Sequence, residues 1–107
     1  MNQNLLEKII KLLEDKKAFN ITTMDIKEKS TLTDYMVIAT GTSSTHIKSL
    51  ADYLNEELKK DGIYPYKVEG YDSNSWILMD YQDVIVHLFT ESDRNHYNLE
   101  DLWNKVR

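Results

Sequence analysis

The chain has 107 residues, of which 18 are acidic and 13 basic, giving a net charge of −5, and it contains no cysteine. This length is typical of one domain, so we expect residues 1–107 to form a single unit whose core needs no disulfide or metal. The missing cysteine excludes a disulfide framework, an iron–sulfur cluster and a thiol nucleophile. The acidic balance disfavours direct nucleic-acid binding and fits a basic protein partner better.

The sequence also lacks membrane and export signals. No apolar stretch approaches the ~20 residues that a membrane-spanning helix needs, and the N-terminus lacks a signal-peptide pattern. We therefore expect a soluble cytoplasmic protein without a membrane partner.

The first predicted element is an amphipathic helix that ends near Lys16. Its apolar residues recur at helical spacing: Leu5, Leu6, Ile9, Ile10 and Leu13. A short, partly alternating run at residues 21–27 predicts the first strand, and the apolar run at residues 35–39 predicts an interior strand.

A small-polar loop, residues 40–45, follows the second strand and leads into a second helix, for which Ser44 or Thr45 is the expected cap. The helix carries one apolar face, formed by Ile47, Leu50, Ala51, Leu54 and Leu58. Asp61-Gly62 predicts its end. A strand, a glycine-containing loop, a helix and a further strand form a crossover unit, which implies some parallel pairing.

The strongest local pattern is the run at residues 76–90, two stretches rich in β-branched and aromatic residues around a polar interruption at residues 80–83. It follows an extended piece at residues 66–71 and predicts a β-hairpin. Alternation divides the second strand of the hairpin into two apolar faces, one with Ile85, His87 and Phe89 and the other with Val84, Val86 and Leu88. Such a strand is expected inside a sheet that is covered on both sides.

The C-terminal part predicts helical structure. Residues 91–93 carry a helix-start signature for a first turn at residues 94–97, and Asn98 is expected to cap a last helix with Trp103 on its apolar face. The predicted order is α-β-β-α-β-β-β-α. The fold class is therefore α/β: one domain with a mixed sheet of about five strands flanked by helices.

Candidate chemistry is sparse. The loop from Gly41 to Ser44 precedes a helix N-terminus, which can bind an anion, but it lacks the established phosphate-binding patterns, and no strand downstream carries the paired acids that a two-metal nucleotidyl transfer needs. A structural strand–helix junction is the simpler interpretation. His46, His87 and His96 have no metal-ligand spacing, so we expect no metal and no cofactor. His87, in an apolar strand, is better interpreted as a hydrogen-bonded core residue than as a catalyst.

Two aromatic residues of the hairpin remain open to two interpretations. On the first strand Trp76, Leu78 and Asp80 share a face, and Tyr81 follows at the polar tip. Either Trp76 and Tyr81 expose their rings beside carboxylates, as in a protein-binding hot spot, or both rings cap the edge of the core.

A set of short motifs, in this order and spacing, resembles the ribosomal silencing factor (RsfS, Iojap) family over nearly the whole chain. The motifs are Thr33-Asp34-Tyr35, Thr40-Gly41-Thr42-Ser43 with His46, Glu69-Gly70, Trp76-Ile77, Asp80, Asp83-Val84-Ile85-Val86-His87, Arg94, Tyr97, Leu99-Glu100 and Leu102-Trp103. One position departs from the family, which usually has glycine before the turn aspartate where this chain has Gln82. Because glycine suits a positive φ, Gln82 either tolerates strain or marks a different turn type.

The resemblance implies a nucleotidyltransferase-like fold without its metal-binding acids, and no enzymatic activity. It implies a homodimer when the protein is free, and binding to large-subunit ribosomal protein L-fourteen, which blocks joining of the small subunit when nutrients are limiting. The implied partner-binding residues are Trp76, Asp80, Tyr81 and Asp83, with Arg94 and Tyr97 nearby. Two alternatives stay open: a small nucleotide-binding enzyme that uses the loop from Gly41 to Ser44, and a dimeric adaptor for some other basic protein.

Overall fold

The computed structural model describes residues 2–28, 33–73 and 75–94. Their elements follow in the order α1 (Asn2–Asp15), β1 (Phe19–Asp25), β2 (Tyr35–Gly41), α2 (Ser44–Lys59), β3 (Lys67–Glu69), β4 (Trp76–Asp80), β5 (Val84–Thr90) and α3 (Glu91–Arg94). The predicted α/β class with a five-stranded mixed sheet is confirmed. The last helix predicted from Asn98 lies outside the described residues, as does Trp103.

The sheet has the strand order β1-β2-β5-β4-β3. β2 and β5 pair in parallel, and the other neighbours pair antiparallel, including the predicted hairpin of β4 and β5. The expected parallel pairing is therefore present, but the strand that directly follows α2 is not the partner. β3 lies at the far edge of the sheet, and the chain returns through β4 before β5 pairs with β2.

Burial follows the predicted alternation of the central strand. All seven residues of β5 are buried. The apolar face of α1 and the five predicted residues of α2 pack on one side of the sheet against Val84, Val86 and Leu88. A smaller cluster lies on the other side and consists of Ile26, Met36, Ile38 and Phe89, with Met24 and Trp76 packed against it. The prediction of two apolar faces on β5 is confirmed.

Both long helices end in the same hydrogen-bonded motif. After α1, the Ala18 N–H donates to the Leu13 carbonyl at 3.0 Å, and after α2 the Ile63 N–H donates to the Leu58 carbonyl at 2.9 Å. The residue before each donor has a left-handed backbone, with φ of 66° at Lys17 and 77° at Gly62. Glycine adopts this conformation freely, whereas lysine is strained in it. Within the described parts of the chain, neither helix has the length and apolar character needed to cross a bilayer.

Replacing Lys17 by glycine is therefore expected to raise the free energy of unfolding by about 0.5–1 kcal/mol. The change removes a left-handed penalty of ~1–2 kcal/mol, and the greater freedom of glycine in the unfolded chain offsets part of that gain. Urea denaturation followed by circular dichroism measures the difference. Because the Lys17 side chain is exposed, its loss costs little, and a destabilised variant would show that this account of the helix end is wrong.

Candidate functional site

Trp76 is the centre of a stacked aromatic cluster at one end of the hairpin. Its indole lies nearly parallel to the rings of Phe89 and His87, with centroid separations of 5.9 and 5.8 Å. The indole Nε1–H donates to Nδ1 of the fully buried His87 at 3.0 Å. The interpretation of His87 as a hydrogen-bonded core histidine is therefore confirmed. Because one edge of Trp76 is fixed in this way, the half-buried ring presents a defined surface.

The loop before β4 holds the backbone of Trp76 in place. The Ser73 hydroxyl accepts from the Trp76 N–H at 3.0 Å and donates to the Trp76 carbonyl at 2.8 Å. Gly70, with φ of 76°, lies so close that a Cβ there would be 2.4 Å from the same carbonyl oxygen. Neither Gly70 nor Ser73 was predicted from the sequence to be part of the site. The signals were the serine-rich turn and the glycine before an aspartate-containing turn, which favour side-chain-to-backbone bonds and positive φ.

The hairpin tip is a tight, strained reversal. The Asp83 N–H donates to the Tyr81 carbonyl at 2.9 Å around Gln82, whose φ is 70°, and this combination defines a γ-turn with positive φ. The Asp80 carboxylate accepts from the Gln82 N–H at 2.7 Å and braces the turn. The Asp83 carbonyl accepts from the N–H groups of Asp34 and Tyr35, which ties the tip to the start of β2. Gln82 therefore adopts the positive φ that would suit glycine, and the turn tolerates the strain.

Replacing Gln82 by glycine is expected to stabilise the protein by about 1 kcal/mol, because glycine adopts positive φ without steric cost. The exposed Gln82 side chain contributes little that would be lost. Thermal unfolding of the variant beside the parent protein measures the effect. A lower melting temperature would mean that this turn is not strained.

Tyr81 faces the core. Its side chain is only 6% exposed and belongs to the cluster beneath α1 and α2. The reason is alternation, since Ile77, Met79 and Tyr81 share the helix-covered side while Trp76 and Asp80 share the other. Burial raises the pKa of the Tyr81 hydroxyl to about 12, and that hydroxyl has no hydrogen-bond partner within the described residues. Of the two interpretations of the hairpin aromatics, the core one is therefore correct for Tyr81.

The candidate residues divide into two groups on the hairpin. Trp76 and Asp80 share a face of β4 but stand four residues apart, about 13 Å along a strand. The partly exposed Asp80 and the exposed Asp83 lie at the tip. Trp76 lies at the other end of the hairpin, where β5 ends and α3 begins. The backbone of Arg94 is the last part of α3. The side chain of Arg94 and the whole of Tyr97 lie outside the described residues.

The loop from Gly41 to Ser44 uses its polar groups internally. Ser43 caps α2 by accepting from the His46 N–H at 3.1 Å, so the expected cap at Ser44 or Thr45 is wrong by one or two positions. The Thr42 N–H donates to His46 Nδ1 at 2.9 Å, and His46 Nε2 lies 2.8 Å from the Lys16 carbonyl oxygen. His46 thereby joins the loop to the end of α1. These contacts favour the structural junction over an anion site.

Comparisons with known proteins agree along the length of the chain. The family model described as "Ribosomal silencing factor during starvation" matches residues 1–107. A protein of Halalkalibacterium halodurans named "Ribosomal silencing factor RsfS" is 35% identical over 95% of this chain and 87% of its own length. The mouse protein "Mitochondrial assembly of ribosomal large subunit protein 1" is 33% identical over 92% of this chain and 44% of its own length. A crystal structure of a Chromobacterium violaceum protein, 34% identical, superposes with a TM-score of 0.89, covering 97% of this chain and 87% of that one.

Proposed function

The chain belongs to the ribosomal silencing factor family, and we propose that it binds the large ribosomal subunit and sterically prevents the small subunit from joining. The observation that carries this proposal is the family match over residues 1–107. The proposed contact is large-subunit ribosomal protein L-fourteen, and the proposed consequence is repression of translation under nutrient limitation. No reaction is needed, because occupancy of a shared surface is the mechanism. The protein would act in the cytoplasm and form a homodimer when free.

The proposed binding face is the exposed part of the hairpin. Trp76 is the apolar anchor, since a half-buried indole held by His87 loses little freedom on binding. Asp80 and Asp83 are proposed to pair with Lys or Arg of the ribosomal protein and to speed docking. A standard interface covers about 800 Å² per partner, a patch roughly 30 Å across, which spans both ends of the hairpin.

The remaining residues take supporting roles in this proposal. Because Tyr81 is buried, it supports the acids indirectly by anchoring the tip in the core. Arg94 and Tyr97 are proposed to extend the face beyond Trp76 at the end of β5. The name of the mouse relative, which refers to large-subunit assembly, is consistent with the large subunit as the partner.

Co-sedimentation with isolated large subunits, with and without magnesium nucleotide, tests the proposal. We expect nucleotide-independent binding and, when small subunits are added, loss of joining measured by light scattering. Absence of binding at micromolar protein would contradict the silencing role. Binding of nucleotide instead would favour the enzyme alternative at the loop from Gly41 to Ser44.

Trp76→Ala is expected to weaken large-subunit binding by more than about 1 kcal/mol, the usual hot-spot scale. Asp83→Asn is expected to slow association mainly at low salt, because the carboxylate is exposed. Asp15→Asn on α1 is the charge-matched control, since it removes one exposed carboxylate from the helix side of the sheet, opposite the face of Trp76. Unchanged affinity in a folded Trp76→Ala protein would place the interface elsewhere.

A further inference from the structure

Exposed apolar side chains are concentrated in one short segment. The large hydrophobic residues that the described part of the chain leaves exposed are Tyr64, Tyr66, Val68 and Tyr71, with exposed fractions of 61%, 73%, 41% and 40%. All four lie within eight consecutive residues around β3. Clustered tyrosines that remain accessible are typical of protein-binding surfaces. This surface lies beyond Asp80, at the edge of the sheet, and the proposed silencing role does not use it.

A cleft of about 160 Å³ opens beside these residues, between α2 and β3. Because β3 lies at the end of the sheet, α2 covers β4 but leaves Val68 half open. The walls of the cleft are apolar and come from Ala51, Val68 and Met79, with Pro65 at one side. An apolar cleft of this volume can hold the aliphatic part of one long side chain.

The mouth of the cleft is acidic. Asp52 is the charged side chain among the lining residues that the structure describes, and Asn55 lies one turn further along α2. The Tyr71 hydroxyl donates to both Asp52 oxygens, at 2.9 and 3.1 Å, and this bond raises the pKa of Tyr71. Asp72 lies near the same hydroxyl, and the Lys48 ammonium lies 5.7 Å from the Tyr71 ring. Apolar walls beside an exposed carboxylate suit Lys or Arg, because the aliphatic stem packs on the apolar walls while the charged head stays at the solvent-facing mouth, next to Asp52.

The edge of the sheet supplies the second half of the site. β3 pairs with β4 on one side, and all three of its residues are exposed. If an extended segment pairs with the outer edge of β3, its residue opposite Val68 has its side chain on the same face of the sheet as Val68. The cleft opens on that face. The short strand with charged Lys67 and Glu69 resists indiscriminate edge pairing, so the cleft has to supply the specificity.

We propose that β3 and the cleft beside α2 bind an extended basic protein segment, which adds to the sheet edge and inserts one Lys or Arg side chain towards Asp52. The cleft lies on the helix-covered side of the sheet, opposite the face that carries Trp76 and Asp80, and the proposal does not depend on the silencing role.

The test is a titration of the intact protein, followed by backbone amide NMR shifts. The probe is a blocked peptide of alternating threonine and valine with a central lysine, and its two analogues carry norleucine or glutamate at that position. The lysine peptide is expected to shift the amides of Ala51, Val68 and Met79. The norleucine peptide should bind at least about fivefold more weakly, a ratio that fits one exposed charge pair.

Two variants separate charge from shape. Asp52→Asn keeps an acceptor for Tyr71 and should abolish the preference for lysine over norleucine, whereas Glu14→Gln on α1 removes an equal charge elsewhere and should leave it intact. Equal binding of the lysine and glutamate peptides, or no shifts at the cleft at millimolar peptide, would overturn the proposal. If the same amides shift when only the concentration of the protein is raised, the occupant is a second copy and the proposal is also overturned.

Discussion

Gly70→Ala is expected to lower the free energy of unfolding by about 2–5 kcal/mol. Two costs add at this position. A left-handed backbone, here with φ of 76°, costs an alanine ~1–2 kcal/mol, and displacement of packed atoms costs ~1–3 kcal/mol more. The displaced atom is the carbonyl oxygen of Trp76, which belongs to backbone and cannot rotate away. Urea denaturation measures the loss of stability.

Gly62→Ala is the matched control for this prediction. Gly62 has nearly the same φ, 77°, but a Cβ there meets no atom within 4 Å. Gly62→Ala should therefore lower the free energy of unfolding by only ~1–2 kcal/mol. The difference in this free energy between the two variants isolates the cost of the contact with Trp76. Because that contact positions the proposed anchor, Gly70→Ala should also weaken large-subunit binding, and Gly62→Ala should not. If both variants lost the same free energy of unfolding, the contact between a Cβ at position 70 and the Trp76 carbonyl oxygen would contribute nothing to the cost.

Tyr81→Ala is expected to lower the free energy of unfolding by about 3–5 kcal/mol, the usual range for truncating a buried aromatic residue. Tyr81 fills space beneath α1 and α2, and its backbone closes the hairpin tip with a 2.9 Å bond from its N–H to the Val84 carbonyl. The side-chain loss creates a cavity and leaves the strained turn poorly supported. A cost below ~1 kcal/mol would show that Tyr81 belongs to the surface.

Tyr81→Phe separates the ring from its hydroxyl. At neutral pH the variant should be as stable as the parent protein or more stable by up to about 1 kcal/mol, because the buried hydroxyl has no hydrogen-bond partner in the described structure. It should also bind large subunits normally if the role of Tyr81 is to anchor the tip. Loss of binding in the folded variant would instead indicate that the hydroxyl touches the partner.

The stabilities of the parent protein and of Tyr81→Phe should diverge at alkaline pH. The pKa of Tyr81 is raised to about 12 in the folded state, compared with ~10 in the unfolded chain. The unfolded state therefore loses this proton first, and the stability that depends on the neutral hydroxyl declines from about pH 10 until pH 12. The decline totals roughly 2–3 kcal/mol at ~1.4 kcal/mol per pH unit, and Tyr81→Phe should lack it. Lysines and other tyrosines titrate in this range too, but they affect both proteins equally.

Local patterns in the sequence were sufficient for the buried faces of β5 and α2 but not for every boundary. β1 is Phe19–Asp25 where residues 21–27 were predicted, and α3 is Glu91–Arg94 where the first turn was predicted at residues 94–97. The alternation of β5 and the helical spacing of α2 were predicted correctly because both depend only on the geometry of one element and the need to bury its apolar side. The hydrogen-bonded role of His87 followed in the same way from a polar residue in an apolar strand. The nucleotidyltransferase-like character and the partner-binding residues remain predictions.

Tertiary structure alone decided where the elements meet. The sequence implied parallel pairing but not that β5 would be the partner of β2, because sheet order depends on contacts between residues far apart in the chain. It left Tyr81 open between surface and core, since an aromatic residue beside a turn suits both until the helices cover one face. The approach of Gly70 to Trp76 and the bond from Trp76 to His87 likewise arise only when separate segments pack together. Periodicity records which side of an element is buried, whereas the neighbours on that side are chosen by the packing of the whole chain.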